Sequence, residues 1–305
     1  MVSLFPCSRC FSDQVQVISG DTGTSEIHLQ ACETLIRVKL AQSPNGLADI
    51  TKGLHVIFAY LRSMQEATNL LCDQHEGNNR HKPRESVASS SSPAERDVEA
   101  DLPSFLISEG VTELKWWTLE LTYGLPTTLT SLLRKATILL RNDLHLDPSE
   151  LQSRIDQLED EILEYPIDVS VAWLGTAAVS QGNRLIMQHY SQAFHQALII
   201  FYCYKARKMH RKHLQQYVQG VIYHLERVAQ VQGLFGLHTG SMLWPAFVGG
   251  SQALETDIQT RFLRWLDLLD REGIWTSNLT KDALVEIWSR DKVSGGAASI
   301  HLVLT

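Results

Sequence analysis

An all-α domain is the fold class this sequence predicts, and three observations predict it. Apolar residues recur at the i, i+3, i+4, i+7 spacing of one helix face in several long windows. Helix-start signals of the Asp-Pro-Ser-Glu type stand before such windows. Period-two alternation occurs only weakly, at Ile300 to Leu304, where a lone strand has nothing to pair with. The chain has 305 residues, 44% hydrophobic and 20% charged, which excludes wholesale disorder and a membrane bundle. The prediction is a single irregular multi-helix domain with a disordered Ser-rich insertion. No period of about 20 to 50 residues repeats itself, so an array of the TPR or HEAT type is not indicated.

The elements follow in chain order. Residues 1–16 read as an irregular N-terminal segment. Gly20 and Gly23 fit a tight turn, and Asp21, Thr22 or Thr24 can cap a helix carrying His28 to Leu40. Residues 73–103 are polar, carry the run Ser89 to Ser92 and lack aromatics. Burial cannot offset the cost of ordering such a stretch, so it is expected to be disordered, with Ser92-Pro93 as its candidate phosphosite. Pro126 biases Leu125 away from helical geometry, so a new helix should begin at Thr127 or Thr128. Asp147 caps a helix that has Pro148 at its first position and Leu151, Ile155, Leu158, Ile162 and Leu163 on its apolar face.

Gly182-Asn183 should close one helix and start the long one through Tyr190, Phe194, Leu198 and Tyr202. Its apolar run, Ala197 to Cys203, is too short to span a membrane. Leu214, Tyr217, Val218, Val221, Leu225 and Val228 mark the next helix. In Leu243-Trp244-Pro245, proline at a first turn would start a buried helix that Gly249-Gly250 lets pack closely or end. Leu254, Ile258, Phe262, Trp265 and Leu269 form the last stripe, and residues 292–305 read as a C-terminal tail.

Chemistry is sparse. There is no Gly-rich phosphate loop, no HExxH, no GxSxG and no EF-hand loop. The carboxylates at Glu159, Asp160, Glu161 and Glu164 read as the solvated face of a helix. Cys7 and Cys10 have the spacing of half a zinc site, with His28 and Cys32 as the candidate second half; a cysteine pair without metal is the preferred reading. The sequence therefore predicts no catalytic residue, no cofactor and no metal. Lys205, Arg207, Lys208, Arg211 and Lys212 form a basic cluster on a helix, a solvated face by default and a nuclear-import or partner-binding patch as the functional option. Seven tryptophans, at 116, 117, 173, 244, 265, 275 and 288, read first as core and leave room for an apolar ligand pocket.

The net charge of −7 argues against a chain that coats nucleic acid. The odd, sparse cysteine set (Cys7, Cys10, Cys32, Cys72, Cys203) and an N-terminus without a signal-like apolar run predict an intracellular protein.

Four strings in order carry a family resemblance: Ser19 to Leu29 (SGDTGTSEIHL), Tyr123-Gly-Leu-Pro126 with Thr127 to Leu133, Leu243 to Gly250 (LWPAFVGG), and Phe262-Leu-Arg-Trp-Leu through Trp275 to Asp291. They resemble the fungal-specific transcription factor regulatory domain, of the arginine-regulator and acriflavine-sensitivity-control type, over residues 17–291. The resemblance implies an all-helical domain that lies downstream of a six-cysteine binuclear zinc cluster, and it carries no catalytic residue over. No C-x2-C-x6-C pattern occurs here, so the expectation is a regulatory domain without that cluster, and direct DNA binding is not expected of it. The expected function is regulation of transcription in the nucleus, shared with the cytoplasm. It would act through protein partners, either a DNA-binding regulator or a second copy of itself, and through a small-molecule effector, with no membrane partner. A helical enzyme or ligand carrier, and a shortened non-functional remnant, stand as alternatives.

Overall fold

The apolar stripes become helices. The computed structural model describes residues 31, 34, 49–72, 125–141, 147–167, 180–237, 243–273 and 276–303, and among the described residues there is no strand. The helices are α1 (Asp49–Cys72), α2 (Thr127–Arg141), α3 (Pro148–Leu163), α4 (Gln181–Lys205), α5 (Gln215–Phe235), α6 (Leu243–Ser251), α7 (Thr256–Arg271) and α8 (Thr276–Val303). A short 3-10 turn, Arg211–Leu214, leads into α5. The segment 1–16, the Gly20–Gly23 turn and the insertion 73–103 with Ser92 lie outside the described residues. Ala31 and Thr34, within the helix expected from His28 to Leu40, are helical.

The starts and stops have local causes. Asp147 is the N-cap of α3: its side chain accepts from the Ser149 amide at 3.1 Å, and Pro148 costs nothing where no N–H is needed. Hydrogen bonds from the Ser149 hydroxyl and amide hold the Asp147 carboxyl below its ordinary range. Helix α2 begins at Thr127, directly after Pro126. The long helix α4 departs from the expected start: Ser180 is its cap, accepting from the Asn183 amide at 3.2 Å, and Gly182 lies within the first turn. A Cβ on Gly182 would come within 2.7 Å of Leu237 and 2.9 Å of Phe235, so the glycine is a packing requirement and not a stop. Gly236, at φ 61°, closes α5 in the left-handed conformation that glycine adopts without penalty.

Helices α4 and α5 are the most extensively packed pair, and α6 lies across both of them. All nine residues of α6 are buried, as the LWPAFVGG string suggested, with Pro245 in the first turn, where its missing N–H has no intrahelical partner to lose. Helix α7 packs on α5 and α8, and α8 returns onto α6. On the other side, α1 pairs with α2, and α2 and α3 each rest on α4. The buried face of α7 is Ile258, Phe262, Trp265, Leu266 and Leu269. Leu254 is not part of it: the helix begins at Thr256, and Leu254 is 41% exposed in the turn before it. Arg261 on α7 and Glu226 on α5 form a two-pronged ion pair at 2.9 and 2.6 Å. Helix α8 runs on to Val303, across the boundary at residue 291 where the sequence suggested a tail, and Ile300 lies in this helix.

Candidate functional site

The basic cluster is the joint between the two central helices, not a face of one helix. Helix α4 ends at Lys205, Lys208 takes a positive φ of 52°, and His210 caps the 3-10 turn by accepting from the Lys212 amide at 3.2 Å. The five predicted residues separate into two groups. Lys205 is 5% exposed, with its ammonium 5.9 Å from the centre of the Tyr204 ring. Arg207 reaches back to α3, where it donates to Asp156 at 2.6 Å and from Nε to Glu159 at 2.7 Å. Arg211 reaches α8 and α6, pairing with Asp291 and donating to the Ser251 carbonyl at 2.7 Å. Lys208 and Lys212 remain exposed, beside exposed His210 and His213. The predicted single patch is thus three inward structural cations and two outward lysines.

The electrostatics follow from these contacts. Hydrogen bonds donated to Glu159 first, and to Asp156, hold the Arg207 guanidinium firmly protonated, and Arg207 in turn holds the Asp156 carboxyl below its ordinary range. Tyr202, just before the joint, donates its hydroxyl to the Ile155 carbonyl at 2.7 Å, and burial pushes its ionisation up. Burial likewise raises the Cys203 thiol to about 11, so this free cysteine is an inert core residue.

The acidic run of α3 is only partly a solvated face. Glu159 is taken by Arg207 and Glu161 by Lys135 at 2.6 Å. Asp160, Glu161 and Glu164 border an open groove of about 520 Å³ between α2 and α3, with Leu132, Tyr165 and Pro166 as its apolar part. The Thr128 and Tyr165 hydroxyls lie 2.6 Å apart across it. This groove contains no tryptophan. Trp244, Trp265 and Trp288 are instead core residues, the last two donating to the Leu225 and Gly250 carbonyls at 3.1 and 2.9 Å. Trp116, Trp117, Trp173 and Trp275 lie outside the described residues. The aromatic pocket suggested by the sequence is therefore not formed by the three described tryptophans.

Two histidine features escaped the sequence reading. His195 is buried in α4, donates from Nε2 to the Ile162 carbonyl at 2.7 Å, and has the Tyr165 ring 5.6 Å away. Burial lowers its pKa from 6.5, against a smaller opposite effect of that hydrogen bond. The unfolded chain therefore binds the proton more readily. The stability His195 contributes is complete above about pH 6.5 and is lost as pH falls through 6.5 toward the lower folded-state value. Urea midpoints measured between pH 7.5 and 5 should fall, and His195→Gln should reduce that slope; an unchanged slope would contradict this account. His189 on α4 and His224 on α5 form the second feature, with their Nδ1 atoms 3.1 Å apart. They are 35 residues apart in sequence, so no spacing rule signals the pair. Among the described residues, no three His, Cys, Asp or Glu side chains gather as a metal set, and no helix is long and apolar enough to cross a membrane.

Comparison with known proteins gives this geometry its context. Residues 6–300 match the family described as the fungal specific transcription factor domain. A curated relative, arginine metabolism regulation protein II of Saccharomyces cerevisiae, is 21% identical over 92% of this chain. The chain spans 39% of that relative's length. No solved structure matches the chain. An all-helical core, with the LWPAFVGG string as its buried central helix and a match over nearly the whole length, places this chain in the fungal specific transcription factor domain family.

Proposed function

We propose that this chain is a non-catalytic regulatory module of transcription. It works in the nucleus by contacting other proteins, and a partner supplies the DNA contact. The observation that carries the reading is the family match over residues 6–300. The partner-facing element is the outward half of the joint: Lys208 and Lys212, with His210 and His213 beside them, a positively charged knuckle for an acidic protein surface. Rigid attachment of the joint to α3, α6 and α8 through Arg207 and Arg211 supports this reading, because a pre-set surface binds with less ordering cost. The groove between α2 and α3 favours a second, compatible role in sensing an effector, since its volume falls in the range of about 300–1,000 Å³ common to small-molecule sites. Its carboxylate border suits a ligand with a hydrogen-donating or positive group.

The test is to fuse the chain to an unrelated DNA-binding domain in a fungal cell and read a reporter placed behind that domain's site. A several-fold change in transcription relative to the DNA-binding domain alone is the expected result. No change, with the fusion nuclear and soluble, would overturn the proposal.

A further inference from the structure

The His189–His224 pair takes no part in the basic joint or in the groove between α2 and α3. It sits on the seam of the two most extensively packed helices, so the backbone positions that carry the two rings are fixed while the rings can turn. Both side chains are partly exposed, which leaves a path to solvent. The ring centres are 5.3 Å apart and the planes are inclined by 32°. Gln192 hydrogen-bonds the His189 ring, and Tyr223 stacks edge-on against His224 with centres 5.0 Å apart. Such outer partners fix ring orientation, a recurrent feature of imidazole ligands.

The spacing of the two nitrogens has a chemical meaning. Two imidazoles bound side by side to one divalent ion, with metal–nitrogen bonds of about 2.0–2.1 Å at tetrahedral to square angles, hold their nitrogens roughly 2.9–3.4 Å apart. The observed 3.1 Å lies inside that span. We propose that His189 and His224 form a two-histidine site for a borderline divalent transition ion, Cu2+ most tightly and Zn2+ or Ni2+ less so, that staples α4 to α5. In the hydrogen-bonded form one Nδ1 carries the shared proton. Binding moves that proton to Nε2 of the same ring, so both Nδ1 lone pairs face the ion and no proton is released. Turning each ring by roughly 40° away from the hydrogen-bond line brings the lone pairs to a common point beside it, and water completes the coordination. The Arg227 guanidinium acts electrostatically on His189 and holds the affinity down. The other histidines of the chain do not share this geometry in the described residues, where no larger metal set occurs.

The experiment uses the full chain and the metal ions alone. Cu2+ is added at one equivalent and the spin-resonance spectrum recorded, and Zn2+ binding is followed by calorimetry and by thermal midpoint. Expected are hyperfine splitting from two equivalent imidazole nitrogens and a saturable rise in midpoint with Zn2+. Affinity should fall at least about tenfold in His189→Asn and in His224→Asn, with the double variant at least as weak as either single one. Arg227→Gln keeps both ligands and should bind more tightly, which keeps the test informative if a histidine variant folds poorly. Binding that is the same in the wild type and both histidine variants would overturn the proposal and assign the ion elsewhere. Loss of binding in Arg227→Gln, or a one-nitrogen spectrum, would also overturn it.

Discussion

Trp244→Ala should lower the unfolding free energy by about 3–5 kcal/mol, the usual cost of emptying a large aromatic site in a core. Trp244→Phe should stay within about 1 kcal/mol of the wild type, because losing some indole volume is offset by removing a buried N–H whose lack of a partner costs about 1–3 kcal/mol. Trp244 is fully buried in the first turn of α6, with the Phe194 and Phe201 rings of α4 at 4.9 and 6.3 Å. Its indole Nε1 meets no acceptor among the described residues. Trp265 and Trp288 differ, since each donates to a backbone carbonyl. Denaturant melts of the two variants check this. A loss in Trp244→Phe well above about 1 kcal/mol would mean that the indole N–H has a partner after all.

The second large effect concerns the double glycine of α6. A Cβ on Gly250 would stand 2.7 Å from Leu284 Cδ1 and 3.0 Å from its Cδ2, in a fully buried contact with α8. Gly249 is nearly as confined, with Val221 and Phe262 at 3.0 and 3.1 Å. Gly250→Val should therefore destabilise by about 2–3 kcal/mol, the upper part of the range for overpacking. Leu284→Ala alone should cost about 2–5 kcal/mol through the cavity it leaves. The double variant should be markedly less unstable than the sum, because each change makes room for or fills the other. Strict additivity in chemical denaturation would show that α6 and α8 do not meet there.

These two residues also mark what could be read in advance. Pro245 near a helix start and two glycines at its end are local signals, and they correctly gave a buried helix with close packing at the glycines. Asp147-Pro148 and the Ile258–Leu269 stripe were legible for the same reason, since capping and periodicity act within a few residues. Leu254 was misassigned because it stands four positions before Ile258, a spacing the stripe allows. The chain nevertheless turns at Gln252 and Ala253, whose amides bond back to Gly249 and Gly250, so Leu254 precedes the helix. The basic cluster failed in a different way. Its charges were visible, but Arg207 finds its carboxylates 48 and 51 residues upstream, and Arg211 finds Asp291 80 residues downstream. No sequence spacing reveals which cations such partners consume. The histidine pair was hidden by the same long-range geometry, as was the groove between α2 and α3.

The joint turns three of its five cations inward and two outward, and the two sets make opposite demands on variants. Arg207→Met should lower stability by about 1 kcal/mol, as partly exposed ion pairs do, through loss of the tie to Asp156 and Glu159. Lys208 and Lys212 make no such tie among the described residues, and their replacement should leave stability unchanged. The most direct measurement is therefore the tethered reporter assay repeated with Lys208→Glu/Lys212→Glu, beside a thermal melt of the same protein. Loss of most of the transcriptional effect with an unaltered melting midpoint is the predicted result. A double variant that is equally stable, equally nuclear and fully active would contradict the claim that this knuckle is the working surface of the domain.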